Sequence, residues 1–278
     1  MQNSYEKPPY NWAELGFIKS VPMTEQRAFC STPVYQILPV KYLIKIFRNK
    51  MLRFNNILQA WEDPYELFMF KQKFTIEGFS NCRTPLDLQK KYYGQCWSLN
   101  KDSDAMWRIY SPDKESVRIK TTVGKMLEVL NQTRGMMWIG PIFGVVKYLS
   151  QDKITEWLLK TQSEEKLWIF KCLSDSLFIK RKEFEHEKEV RFLINNAHFD
   201  DTPIPDNVHD DYIDMQVEPS MFIEEVALDP RLSDEDFEDR KVLLSSITGN
   251  IPICKSDLYS FEPIELFYKS TVLEARIP

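Results

Sequence analysis

The stretch EHEKEVRFLI, Glu185 to Ile194, decides the fold, because it can be built in two ways. As a helix it pairs Glu187 with Arg191 four residues on, an ordinary solvated ion pair. As a strand it sets Glu185, Glu187, Glu189 and Arg191 on one face, and Val190, Phe192 and Ile194 on the other. Val190, Phe192, Leu193 and Ile194 form a β-prone cluster, and the helical pattern upstream runs out near Lys180 to Lys182. The strand is the favoured reading. It places two carboxylates about 7 Å apart on one side, close enough to share a cleft, with a guanidinium beside them to temper their repulsion. On periodicity alone, a carboxylate–arginine pairing that merely covers a solvent-facing strand is the commoner explanation.

The surrounding chain bounds what such a cleft could serve. At 278 residues, with 13% aromatics and 8 glycines, it can bury a substantial core and does not read as disordered. The opening MQNSYEKPPY lacks the basic-then-apolar layout of a secretion signal. The longest apolar patch, MMWIGPIFGVV, is too short to span a bilayer and is interrupted by Gly140, Pro141 and Gly144, so no membrane is expected as a partner. The 5 cysteines stand singly, which argues against a disulfide framework or a zinc site and points to a cytoplasmic protein. Charge is unevenly spread: residues 200 to 239 carry 15 acidic residues and one arginine, Arg231, so the rest of the chain has a positive excess suited to a phosphate-bearing ligand. A solvated acidic segment with dispersed surface lysines is the plainer alternative.

Residues 1 to 33 show no periodicity and read as an N-terminal arm, leaving 34 to 278 as one domain. Strands are expected in VYQIL, MLRFN, GQCWSL, SVRIKTT, FGVVKYL, YIDMQV and IEEVAL. Helices are expected from Pro39 to Asn49 and in GKMLEVLNQ, SEEKLWIFKCLSDSLFI and SDEDFEDRKVLL, the last capped by Ser233 with Asp236 in the capping-box position, and SDAMWRIYS reads as a short helix or a turn. In WEDPYELF, Asp63 suits a helix cap, Pro64 the first turn and Glu66 the third position, a structural role for both acids. No repeat or low-complexity linker interrupts this order. The expected class is α+β, a single mixed domain with sheets flanked by helices.

Several motifs together add a resemblance. Asp63-Pro64-Tyr65-Glu66, Cys96-Trp97-Ser98, Met106-Trp107-Arg108-Ile109-Tyr110, and Phe184 followed by Glu187, Glu189 and Arg191 occur in an order that resembles a large, mostly uncharacterised prokaryotic family. The resemblance covers roughly residues 34 to 260, with Glu62 where that family usually has Asn, Tyr65 and Trp97 where it has Phe, and Phe184 where it has Trp. It implies a place in phage (antiviral) defence or toxin–antitoxin loci, and hence an antitoxin or inhibitor protein as partner. The layout is also distantly similar to ADP-ribosyltransferase toxins, although the first-strand His or Arg of many transferases is replaced by Gln36 beside Tyr35.

That similarity implies NAD as substrate, and a nucleic-acid or protein acceptor. Cleaving the nicotinamide–ribose bond develops positive charge on the sugar, which a fixed carboxylate stabilises. Glu189 is the candidate for that role and Glu187 for activating the acceptor. Arg108 or Arg191, with Arg53 a weaker candidate, would hold the diphosphate, Tyr110 or Trp107 would stack on nicotinamide unless Trp107 is a core aromatic, Ser98 would help position the ribose, and Tyr35 and Gln36 would contribute to binding NAD. Three alternatives stand: a metal-dependent nuclease using Glu187, Glu189 and Asp63 or Glu66 around magnesium, a non-catalytic ligand sensor or partner-binding protein, and a purely structural acidic face.

Overall fold

The central strand of the sheet, β3 (Tyr92–Ser98), positions everything that follows. In this computed structural model, residues 28–72, 92–132, 142–161, 168–196 and 206–267 are described. One edge of β3 runs antiparallel along β8 (Glu189–Asn195) for its full length, from Tyr92 opposite Asn195 to Ser98 opposite Glu189. Its other edge is divided. β1 (Pro33–Pro39) meets it with Tyr35 opposite Ser98, while β2 (Met51–Asn56) meets it with Asn55 opposite Gly94. Among the described residues no strand faces residues 95–97 on that edge. The sheet is therefore forked, and the fork opens a cleft.

The remaining strands extend the three limbs. β1 continues antiparallel to β4 (Ser116–Thr122), then β10 (Glu225–Leu228), which runs parallel to β11 (Ile253–Lys255). β2 is flanked by β9 (Tyr212–Gln216), and β8 by β5 (Ile142–Val145). A separate parallel pair, β6 (Lys147–Leu149) with β7 (Ile179–Arg181), lies off this sheet. A Cβ on Gly94 would lie 2.5 Å from the tip of the Leu193 side chain, which packs into the space that glycine leaves.

Local chemistry explains the helices. The stripe Val40, Leu43, Ile44, Phe47 makes α1 (Val40–Asn49), which buries Leu43 and Ile46 and ends where Lys50 turns left-handed at φ 52°. Further along lie α2 (Asp104–Tyr110), α3 (Val123–Asn131), α4 (Gln151–Thr161) and α5 (Trp168–Ser176). α6 (Asp234–Thr248) opens as expected: the Ser233 hydroxyl accepts from Asp236 N at 3.1 Å and donates to the Asp236 carboxylate at 2.7 Å. Gly249, at φ 64°, ends it.

Two apolar clusters hold the sheet. The larger contains Leu43, Phe54, Trp97, Ile119, Met126, Val190, Phe192 and Ile194, on the face that α1 and α3 cover. The smaller contains Ile57, Leu67, Phe70, Tyr92, Leu173, Leu177, Ile179 and Leu193. β8 is thus buried on both faces, with Val190, Phe192 and Ile194 in one cluster and Leu193 in the other. Truncating a side chain as enclosed as Phe192 costs about 3–5 kcal/mol.

The α+β class holds, with a large mixed sheet flanked by helices. Four details differ from the sequence expectations. The strand expected over the whole of residues 185–194 starts only at Glu189; Lys182–Glu187 is a 3₁₀ turn, ended by Lys188 in the left-handed region at φ 42°. The helix expected to begin at Asp63 is a series of turns, with the Asp63 carboxylate accepting from Tyr65 N at 3.1 Å. FGVVKYL forms two strands in different sheets, and IEEVAL is extended as a strand only from Glu225. Most of the expected N-terminal arm and Cys82 lie outside the described residues. No helix among the described residues is long and apolar enough to cross a membrane.

Candidate functional site

The fork in the sheet opens into a cleft of about 790 Å³, lined by Tyr35 and Gln36 of β1, residues 94–98 of β3, Tyr110 at the end of α2, the 61–66 turns and the 3₁₀ turn. Gln36 fills part of the gap between the diverging strands: its Nε2 donates to Gln95 Oε1 at 2.9 Å and to the Cys96 carbonyl at 3.0 Å. These amides give the unpaired edge of β3 hydrogen-bond partners that a ligand can exchange with its own.

Glu187 and Glu189 lie at the bottom of the cleft, brought together by the turn rather than by a common strand face. Lys188 is in the left-handed conformation, and this reversal aims both neighbours into one space. Three bonds clamp the turn to the end of β3. Ser98 Oγ donates to the Glu187 carbonyl at 2.6 Å, Leu99 N to the Lys188 carbonyl at 2.9 Å, and Asn100 Nδ2 to the His186 carbonyl at 3.0 Å.

The carboxylates are held by two buried cations. Lys180 Nζ, on β7, donates to Glu187 Oε2 at 2.5 Å and Glu189 Oε1 at 2.7 Å, and lies 3.1 Å from Glu66 Oε1. Arg191, fully buried on β8, donates through Nε to Glu189 Oε2 at 2.6 Å, through one terminal nitrogen to the Leu177 carbonyl at 2.7 Å, and through the other to Glu66. Its guanidinium lies 4.0 Å from the centre of the Trp61 ring. Tyr110 donates its hydroxyl to Glu187 Oε1 at 3.1 Å, and Tyr148 accepts the Glu189 N–H at 2.8 Å.

This environment drives the two acids apart. Burial pushes the Glu187 carboxyl up to about 7; Glu189 adds to that push and the Lys180 ammonium opposes it. Glu189 is equally disfavoured by burial, but Arg191, a hydrogen bond from Glu187 and Lys180 outweigh it and hold the group well below the usual carboxylate range. Burial works against the Lys180 charge too, yet Glu189, Glu66 and Glu187 keep it firmly protonated. The surroundings thus favour ionisation of Glu189 and protonation of Glu187, an asymmetry of the kind acid–base chemistry uses.

The expected site residues divide into two groups. Glu187, Glu189, Ser98, Tyr35, Gln36 and Tyr110 all line the cleft. The other four do not. Arg53 points away, binding both oxygens of Asp214 at 2.8 Å and stacking 3.4 Å from the Tyr212 ring centre. Arg108 is exposed and paired with Asp104 four residues earlier at 2.8 Å, a local helix pair. Trp107 is wholly buried and donates Nε1 to Asp102 at 2.9 Å, a core aromatic with its polar atom satisfied. Arg191 is fully buried and bonded to Glu189 and Glu66, and it is not part of the cleft lining. The guanidinium that does line the cleft is Arg181, bonded to Asp63 at 3.1 Å and set 4.9 Å from the Tyr65 ring centre and 5.4 Å from that of Phe184.

Sequence reasoning missed Lys180, Trp61, Tyr148 and Arg181, and gave Glu66 a helix-capping role that its buried ion pairs with Arg191 and Lys180 replace. The signal for Lys180 was present: in FIKRKEF a lysine and an arginine directly follow a hydrophobic run. The nuclease alternative meets a specific obstacle, because the Lys180 ammonium occupies the point from which a divalent ion would bridge Glu66, Glu187 and Glu189.

Residues 106–192 match the profile of a family described as a protein of unknown function (DUF2971). No curated protein matches the chain. Among solved structures it is similar to Thermus sp. 2.9 DarT in complex with NAD+, at 13% identity and a TM-score of 0.35, covering 81% of this chain and 96% of that one. The same protein in complex with ADP-ribosylated ssDNA matches at 13% identity and a TM-score of 0.35, covering 81% and 94%. Its complex with carba-NAD+ matches at 14% identity and a TM-score of 0.34, covering 81% and 96%.

Proposed function

We propose that the cleft binds NAD as a substrate and that the protein is an ADP-ribosyltransferase. The observation that carries this reading is the pair Glu187 and Glu189, adjacent in one cleft and both bonded to Lys180, with Arg191 on Glu189 alone. A volume of about 790 Å³ suits a ligand of that class, and the Gln36 and Gln95 amides with the Tyr35 and Tyr110 rings supply the polar and aromatic contacts such a ligand takes.

In this reading Glu189 does the electrostatic work. Each of its oxygens accepts from one cation and keeps a lone pair that can accept from a sugar hydroxyl. Held rigid by Lys180 and Arg191, it needs no reorganisation as charge develops on the ribose. Glu187 in its ionised form takes a proton from the acceptor, with the Tyr110 hydroxyl fixing its orientation. Ser98 acts through the backbone of Glu187 and so positions the base. Arg181, on the cleft wall, is the residue we assign to the diphosphate in place of Arg53, Arg108 and Arg191.

The acceptor class proposed is nucleic acid or protein, and a role as a phage-defence or toxin effector with a neutralising partner follows from the sequence resemblance. The test is incubation with labelled NAD and candidate acceptors, with and without a chelator. NAD-dependent labelling or nicotinamide release that survives chelation is expected. Chelator-sensitive cutting of nucleic acid overturns the reading in favour of a nuclease, and NAD binding without turnover overturns it in favour of a sensor.

A further inference from the structure

The carboxylate pair does not stand alone in its charge. Glu66, Glu187 and Glu189 bring three carboxylates together on the buried side of the cleft, and Lys180 and Arg191 bring two positive charges to them. The cluster is balanced only when it holds one additional proton. Lys180 is the one member bonded to all three acids, whereas Arg191 reaches Glu66 and Glu189 and leaves Glu187 untouched.

We propose that Lys180 is a positioning residue that favours the ionised form of Glu187, the acid Arg191 does not reach, so that the single exchangeable proton of the cluster can leave it. The inference deepens the transferase reading and rests on it only for its catalytic meaning. The geometry is what makes the assignment. Glu189 receives both cations, one on each oxygen, while Glu187 receives Lys180 on Oε2 and only a neutral phenol on Oε1. A proton entering the cluster therefore displaces less favourable interaction at Glu187. The charged and titratable groups facing Glu187 are Lys180 from β7, Glu189 from β8 and Tyr110 from α2, with Tyr148 of β6 and Glu66 and Arg191 one contact further away. Lys180 is itself fixed by packing: its ammonium sits 4.6 Å from the centre of the Phe184 ring, and β7 pairs with β6.

A flexible amine suits this task better than a guanidinium. Three donors on one nitrogen can point to three acids that do not share a plane. An arginine at this position would keep the charge but satisfy at most a planar subset.

The test uses the full-length chain with carbon-13-labelled glutamate side chains, whose carboxyl resonances report each titration without any substrate. In the wild type one buried glutamate is expected to titrate near neutrality, identified as Glu187 by its loss in Glu187→Gln. Lys180→Met should raise that titration by at least about one pH unit, a tenfold change in proton affinity. Lys180→Arg should bring it part of the way back. Lys180→Met leaves a buried charge imbalance, so Lys180→Met combined with Glu66→Gln serves as a charge-balanced second variant that removes one ion of each sign. In that double variant the Glu187 titration should still lie above its wild-type position, because Arg191 continues to hold Glu189 and no cation is left on Glu187. An unchanged Glu187 titration in both Lys180 variants, with the fold intact by circular dichroism, overturns the proposal. Failure of the wild type to turn over NAD would instead sink the transferase reading and leave these titrations standing.

Discussion

Two arginines are wholly buried on strands of this sheet, and they serve different ends. Arg118 of β4 donates to the Asp102 carboxylate, to Glu225 at 2.7 Å and to the Lys101 carbonyl at 2.8 Å. Asp102 is closed off further by the Trp107 indole at 2.9 Å and the Ser256 hydroxyl at 2.8 Å. Neither Arg118 nor Asp102 faces the cleft. Arg191 of β8 is bonded through all three guanidinium nitrogens, whereas the buried Arg118 Nε has no partner among the described residues, and the two carboxylates Arg191 shares with Lys180, Glu66 and Glu189, line a cavity. A buried ion pair by itself is weak evidence of function. What separates the two clusters is where their acids face and whether any acid retains capacity: Arg118 staples α2 and the 101–102 turn to the sheet, and Arg191 supports a reactive surface.

The largest expected effect sharpens this contrast. Glu189→Gln should lower transfer from NAD by roughly 10³-fold while circular dichroism stays native, whereas Asp102→Asn should leave turnover within roughly threefold. Full activity in Glu189→Gln would remove Glu189 from the mechanism. Next come the arginines. Arg118→Met and Arg191→Met should each cost about 3–5 kcal/mol in urea unfolding, because each strands a buried carboxylate, but only Arg191→Met should also abolish turnover. Equal loss of activity in both would dissolve the distinction.

Smaller effects follow from pH. Glu187 has its carboxyl pushed up to about 7 from the ordinary 4.5, so between these values the native state holds a proton that the unfolded chain has released. Its stabilising contribution is present below about pH 4.5 and is lost as pH rises through about 7, amounting to up to about 3 kcal/mol. Unfolding curves should show that decline in the wild type and lack it in Glu187→Gln. Turnover should move in the opposite sense, rising through the same interval as Glu187 ionises to act as base. Least affected should be Arg53→Ala and Arg108→Ala. Both lose exposed ion pairs, so stability should change by less than about 1 kcal/mol, and labelling with NAD should remain near the wild-type level.

Elements governed by local periodicity were legible in the sequence. The stripe of α1, the Ser233 cap and the alternation of Val190, Phe192 and Ile194 each carry their structure within a few residues. The acids Glu187 and Glu189 were legible as a pair for the same reason. Their geometry was not, since the strand pattern gives no warning that Lys188 turns left-handed and that Glu187 belongs to a turn. Partners distant in sequence were also hidden. Glu66 meets Arg191 across 125 positions, and no spacing rule connects them. Arg53 and Arg108 were candidates on charge alone, and nearby acids, Asp214 across the β2–β9 pairing and Asp104 one helical turn back, claimed them first.

The division of one edge of β3 between β1 and β2 has a mechanical consequence. The cleft lies where β1 and β2 leave different ends of that one strand, so a molecule wedged between them acts as a brace. Its binding energy would be spread through the hydrogen bonds of residues 93–98, slowing amide exchange there at a distance from any atom it touches. Such protection, spreading outward along β1 and β2 from their junction with β3, would be the signature of occupancy even for a ligand that never reacts.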